Sequence, residues 1–434
     1  MRAEKPREIA ARVLLHQAQG SGWAEHLLET ELARAGTALA PLDRRLVQEL
    51  VFGVIRWQAT LDWLIRRKTD GRLQKIPLQV LLRLGLYQMF WLDRIPDHAA
   101  VHESVELAKN LGFGSQSGFV NALLRGCLRE RSALEQELLE LRRRLPATGW
   151  SHPDWLYERW RARWGDESTA ALLEWDNRPA TTFARVNRLK ATPEELAAAF
   201  EHEAVLFTPR PYDWAGTDPV FELREHPPFA TLESFRQGYF YLQDPSTLLA
   251  PALLDPQPGE TILDLCAAPG GKTTYIAQLM QNRGRILAHD SEPARLNLIE
   301  QNLRRLGATC IEITPPAGAE ALARLGPVDR ALVDAPCSNT GVMRRRVDLR
   351  WRVGPEEIHR LQGLQGRLLE QAAQLLKPGG VLVYSTCSLE QEENTGVVQN
   401  FLGQNPAFTL EQERQLTPFA DHVDGAYVAR MRKQ

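Results

Sequence analysis

The chain has 434 residues, too many for one ordinary core, so two or three domains are expected. Apolar residues make up 44% of it and charged residues 24%, which excludes a disordered or fibrous chain. The formal net charge of −2 excludes a uniformly basic surface, so nucleic-acid contact has to come from local basic patches.

Residues 1–143 read as all helix. Apolar residues recur at helical spacing from Ile9 to Leu15, in Leu42, Leu46, Leu50, Val54 and Leu61, from Leu78 to Trp91, and in Val101, Val105 and Ala108. Asp97 is placed to cap the helix that runs to about Gly112. A helical bundle can serve as a scaffold. Alternatively, Arg44, Arg45, Arg56, Arg66 and Arg67 lie on exposed faces and touch RNA phosphate. Residues 144–238 read as a small α+β connector, with tryptophans at 150, 155, 160, 164 and 175, a strand near 181–186 and a helix near 193–200. The tryptophans are expected to pack in cores, with base stacking as the alternative.

Residues 239–434 alternate strands and helices as in a parallel, doubly wound sheet. Strands are expected at 261–265, 285–289, 330–333 and 381–385, and helices begin near Thr273, Pro293, Pro355 and Asn394. The segment Cys266-Ala267-Ala268-Pro269-Gly270-Gly271-Lys272 joins the first strand to a helix. Its glycines allow close approach of a ligand, and the helix offers free N–H groups. A Walker A loop is excluded because position 266 is Cys, and no Gly-x-Gly-x-x-Gly is present. A nucleoside-type cofactor remains, with Asp290 at the end of the next strand as ribose acceptor, helix cap, or both.

Five cysteines are present, and none forms a Cys-x-x-Cys pair, so no metal site is expected. The odd count and the lack of a signal peptide point to a reducing cytoplasm, and no apolar run approaches the roughly 18 residues of a membrane span. Cys127, Cys266 and Cys310 read as inert. Cys337 in Asp334-Ala335-Pro336-Cys337-Ser338 and Cys387 in Ser385-Thr386-Cys387-Ser388 each follow a strand end, where α/β sheets place their sites. A thiol there becomes a nucleophile if its surroundings favour the thiolate.

The segments around Cys266, Cys337 and Cys387 together resemble the RNA cytosine-5 methyltransferases, and more narrowly the RsmB (Sun/Fmu) family acting on small-subunit ribosomal RNA. Asp97–Lys109 and Phe119–Arg125 resemble that family's NusB-like domain, and Arg185-Val186-Asn187 and Tyr241–Ser246 match segments leading into its catalytic domain. The resemblance covers nearly the whole chain. It implies a NusB-like bundle, an α+β connector and a Rossmann-like methyltransferase domain. It implies S-adenosylmethionine bound by Cys266 to Lys272, Asp290 and Asp334. It also implies Cys387 as nucleophile on cytosine carbon 6, Asp334 as the group that hydrogen-bonds the base, and Cys337 in the release step. Arg344, Arg345, Arg346, Arg350 and Arg352 crowd the segment after Cys337 and are expected to contact RNA phosphate. A monomer is expected, acting on ribosomal RNA, with transfer RNA methylation or a non-catalytic assembly role as alternatives.

The chain departs from the family pattern at two places. Thr314-Pro315-Pro316-Ala317 lacks the acidic residue that normally meets adenosine, and Asp424-Gly425-Ala426-Tyr427 replaces a more aromatic run.

Overall fold

Prolines at the first turn start several N-terminal helices, among them Pro6–Ala18, Pro41–Arg56 and Ile76–Trp91, where the missing N–H costs nothing. Each helix then buries an apolar stripe. Ile76–Trp91 is covered on most sides, from Val80 through Met89, and forms the centre of the bundle. Asp97 is the first residue of its helix rather than the cap, and its carboxylate takes the Arg131 guanidinium at 2.7 Å instead. Of the arginines expected to reach RNA from this bundle, Arg56 is buried.

The computed structural model describes residues 5–36, 39–72, 74–216, 218–314 and 326–434. It resolves into two units, one of residues 1–178 with 343–352, the other of residues 179–342 with 353–434. The tryptophan-rich stretch therefore groups with the helices: the helix Asp154–Asn177 buries Trp160. The strap 343–352 also belongs to the helical unit. Arg350 is fully buried there and donates to the carbonyl oxygens of Ser151 (3.1 Å) and Asp176 (3.0 Å) and to Asn177 Oδ1 (2.8 Å). Asp348 accepts from the Ala24 amide at 2.8 Å, and the Arg344 guanidinium lies 4.1 Å over the Trp175 ring.

The second unit holds two sheets. The smaller is antiparallel, built from β1 (Thr182–Val186), β2 (Leu206–Arg210), β3 (Val220–Glu225) and β4 (Phe240–Leu242), in the order β2-β3-β1-β4. Its helix Pro193–His202 starts with a capping box, Thr192 and Glu195 each satisfying the other's backbone N–H, and buries Phe200 against Phe207, Phe221 and Phe240.

The larger sheet comprises β5 (Thr261–Asp264), β6 (Arg285–His289), β7 (Ile311–Thr314), β8 (Val328–Asp334), β9 (Leu376–Thr386), β10 (Phe408–Leu416) and β11 (Ala426–Lys433). Its order is β10-β11-β9-β8-β5-β6-β7, with β5 to β9 parallel and the last two strands antiparallel. The first strand has β6 on one side and β8 on the other, so the winding direction reverses beside it. Such a switch point opens a crevice at the carboxyl ends of the strands. Thus a helical bundle, a ferredoxin-like connector and a Rossmann-like mixed sheet make up the chain. Among the described residues, no helix is long and apolar enough to cross a membrane.

Candidate active site

The loop after β5 sits at that switch point. Gly270 has φ +97°, a left-handed conformation that side chains disfavour, and a Cβ on Gly271 would come within 2.8 Å of the Tyr241 ring. The loop's backbone is held on several sides. Ala267 N donates to His289 O (2.8 Å), Arg295 holds the Ala268 carbonyl (2.8 Å), and Arg185 holds the Gly271 carbonyl (3.0 Å).

Asp290, 3% exposed, accepts from the Ala268 amide at 3.1 Å and from the Glu292 amide at 3.2 Å. It therefore orders both the glycine loop and the turn into the helix Pro293–Leu306. A second acid was not anticipated from the sequence. Asp264 at the end of β5 is 1% exposed; one oxygen accepts from Thr273 Oγ1 at 2.7 Å, and Oδ1 has no partner among the described residues. Burial pushes its carboxyl up to about 7. An orphaned buried acceptor beside a loop of small residues with two adjacent glycines fits a ligand that brings a donor or positive charge, as a sulfonium nucleoside with an amino-acid tail does. Of the stretch expected to lack an adenosine-binding acid, Thr314 ends β7 with its hydroxyl near Ala288 O (3.2 Å), while residues 315–317 lie outside the described residues.

Lys272, in the first turn of the helix Gly271–Leu279, donates to Asp334 Oδ2 at 2.6 Å, and Ser385 Oγ donates to Oδ1 at 2.6 Å. Burial works against the Lys272 charge, but Asp334 together with the nearby Cys387 and Asp264 holds it protonated. Asp334 is thus fixed at both oxygens and stays part-exposed. Cys266 is not part of this chemistry: burial, with Asp264, Asp334 and Asp290 around it, pushes its thiol up and keeps it neutral.

The two remaining thiols meet. β8 and β9 are parallel neighbours, with Asp334 opposite Ser385, so their trailing loops place Cys337 Sγ and Cys387 Sγ 3.4 Å apart. Cys387 Sγ also reaches Asn339 Oδ1 at 3.0 Å, and Asn339 takes φ +58°, a left-handed conformation Asn tolerates. Gly341 N donates to the Cys387 carbonyl (2.9 Å), and a Cβ on Gly341 would meet that carbonyl and the Gly425 backbone at 2.7 Å. The Asp424-Gly425 turn, just before the Ala426-Tyr427 departure, therefore closes over the thiol loop, with Gly425 N donating to Gly341 O at 2.8 Å. The hydrogen bond with Cys387 and burial both raise Cys337, which is held as a thiol. The sulfur pair, the Lys272–Asp334 ion pair and the glycine loop all lie at the carboxyl end of one sheet. That arrangement suits covalent attack on a planar ring followed by transfer of a group from a bound nucleoside.

The arginines after Cys337 do not act as one group. Arg344 and Arg350 are buried in the helical unit, Arg350 on backbone carbonyls, which removes phosphate contact from their roles. Arg345 and Arg346 are exposed.

Comparison with known proteins agrees along the chain. Residues 251–432 match the family model for 16S rRNA methyltransferase RsmB/F, residues 4–129 the NusB family, and residues 152–215 the ferredoxin-like domain of RsmF/B-like methyltransferases. The probable ribosomal RNA small subunit methyltransferase B of Synechocystis is 38% identical over 91% of this chain and 92% of its own. The protein of that description from Bacillus subtilis is 34% identical over the full length of both. The crystal structure of PH0851 superposes with a TM-score of 0.79 at 25% identity, covering 99% of each chain. The chain therefore belongs to the 16S rRNA methyltransferase RsmB/F family.

Proposed function

We propose that this protein methylates carbon 5 of a cytosine in small-subunit ribosomal RNA, using S-adenosylmethionine and a covalent bond from Cys387 to the base. The observation that carries the reading is the pair of thiols 3.4 Å apart in the loops after adjacent parallel strands, beside the Lys272–Asp334 pair. The names of the relatives support ribosomal RNA as substrate.

Cytosine carbon 5 is a poor nucleophile until something adds at carbon 6. The Cys387 sulfur bonds carbon 6 as its proton passes to water; the carbon 5–carbon 6 pair shifts into the carbon 4–carbon 5 bond, and the carbon 4–N3 pair moves onto N3, which takes up a proton from water. Asp334, held by Lys272 and Ser385, accepts from the protonated N3 and from the exocyclic amine and so favours that addition. S-adenosylmethionine supplies an electrophilic methyl group when bound, and Cys266 to Lys272, Asp264 and Asp290 are the residues that would hold it. After carbon 5 has taken the methyl group, its proton passes to water, the ring double bonds return, and the Cys387 sulfur leaves and takes the N3 proton. Cys337, 3.4 Å away, is assigned to that release. Because the reacting face of the base must reach the half-buried Cys387 thiol, the target has to leave its stack, which favours an unpaired site. The NusB-like helices and the exposed Arg345 and Arg346 serve RNA binding in this reading.

The test is transfer of labelled methyl from S-adenosylmethionine to unmethylated small-subunit RNA, comparing the unaltered protein with Cys387→Ala. Transfer by the unaltered protein alone is expected. Equal transfer by Cys387→Ala would move the nucleophile to Cys337, and transfer only to a transfer-RNA transcript would change the substrate class.

A further inference from the structure

Glu393 lies wholly buried just past the second cysteine loop, and no step above uses it. A carboxylate is costly to bury unless donors surround it. Here they do. Oε1 accepts from the Ser338 amide (2.8 Å) and from Gln365 Nε2 (3.0 Å), and Oε2 accepts from the hydroxyls of Ser338 and Ser388. Ser338 follows Cys337 and Ser388 follows Cys387. The bracket closes on the other side of each cysteine as well. Gln365 Nε2 also holds the Pro336 carbonyl (2.9 Å), and Asn394, next to Glu393, takes the Thr386 hydroxyl (2.6 Å) and donates to the Ser388 carbonyl (2.9 Å). The Tyr384 hydroxyl anchors the Glu393 carbonyl at 2.6 Å.

We propose that Glu393 is a positioning residue: its carboxylate clasps the serine after each cysteine and so sets the distance between the two sulfurs. An apolar residue would pack this spot without the cost of a buried charge. What the charge adds is a single point on which both loops converge, at four donors. Its field also disfavours the Cys337 thiolate, together with the Cys387 contact and burial. The inference rests on the two-thiol reading above for its catalytic meaning, but the clasp itself can be tested without any methyl transfer.

Glu393→Asp keeps the charge and retracts it by one methylene; Glu393→Gln keeps the reach and removes the charge. The first readout is closure of the Cys337–Cys387 disulfide by diamide, followed by intact mass; the two thiols give up two protons and two electrons, reducing diamide to the hydrazine. Glu393→Asp is expected to slow closure at least ~10-fold and to lower kcat by about 100-fold, with KM for S-adenosylmethionine within about twofold. Glu393→Gln is expected to close at a rate within about threefold and to shift iodoacetamide alkylation of Cys337 to lower pH, since a negative neighbour is gone. If Glu393→Asp does not fold, Ser338→Ala and Ser388→Ala, each removing one donor, take its place with the same readouts. Unaltered closure in the Asp or serine variants, or an unmoved alkylation profile in Glu393→Gln, would overturn the clasp. If the unaltered protein transfers no methyl, the functional reading fails while the closure rates still decide this one.

Discussion

Two consecutive stretches of chain, 337–342 and 343–352, are put to opposite uses. The first belongs to the unit with the two sheets and carries no charged side chain, yet it holds Cys387: Asn339 meets Cys387 Sγ and Gly341 holds the Cys387 carbonyl. The second belongs to the helical unit and is dense with arginine, yet its most buried guanidinium faces backbone carbonyls and an amide. Charge close in sequence to a reactive cysteine does not decide what the charge does. The acceptors that surround it in the fold do.

Removing Cys387 should produce the largest change: Cys387→Ala is expected to lower methyl transfer more than about 10³-fold while calorimetry shows cofactor binding intact. Cys337→Ala should instead trap enzyme on RNA as a band that survives denaturing electrophoresis. Arg350→Ala is next. It strands several buried acceptors and should cost about 3–5 kcal/mol in denaturant unfolding, with no role in RNA binding needed to explain it. If Arg350→Ala weakened RNA binding and left stability unchanged, the contrast between the two stretches would collapse.

Asp264→Asn gives a smaller, pH-dependent effect. The folded carboxyl titrates at about 7, above its ordinary value, so the fold favours the protonated form. That contribution is full below the unfolded pKa of about 4 and is lost as pH rises through 7. The Asn variant without cofactor should therefore melt higher than the unaltered protein at pH 8, by up to a few kcal/mol, and alike at pH 4. A higher melting point at both pH values would point to packing instead. Arg345→Ala is the smallest: weaker RNA binding, a salt slope lower by about 1, and stability within ~0.5 kcal/mol.

Much of this molecule is legible in its sequence, for identifiable reasons. β5, β6, β8 and β9 are short apolar runs buried on both faces, and Cys266–Lys272, Cys337 and Cys387 follow them directly. The edge strand β10 escapes because its exposed residues, Thr409 to Glu413, read as a polar loop; edges carry charge to avoid mispairing. Arg344 and Arg350 mislead because a guanidinium reads as surface, and only the fold reveals the carbonyls that receive it. Asp264 and Glu393 were missed for the converse reason. An acid after a strand looks like any other until its burial and its partners are known.

The strap has a consequence for how the protein is made. Translation proceeds from the N-terminus, so Arg178 leaves the ribosome well before Met343 does, by on the order of ten to thirty seconds at ~5–20 residues per second. During that interval the helical unit lacks ten of its own residues. The Ser151 and Asp176 carbonyls and Asn177 Oδ1 lack the Arg350 donor until then. The nascent bundle thus carries an open slot shaped for its own later sequence, and completing it waits until most of the catalytic unit has been synthesised.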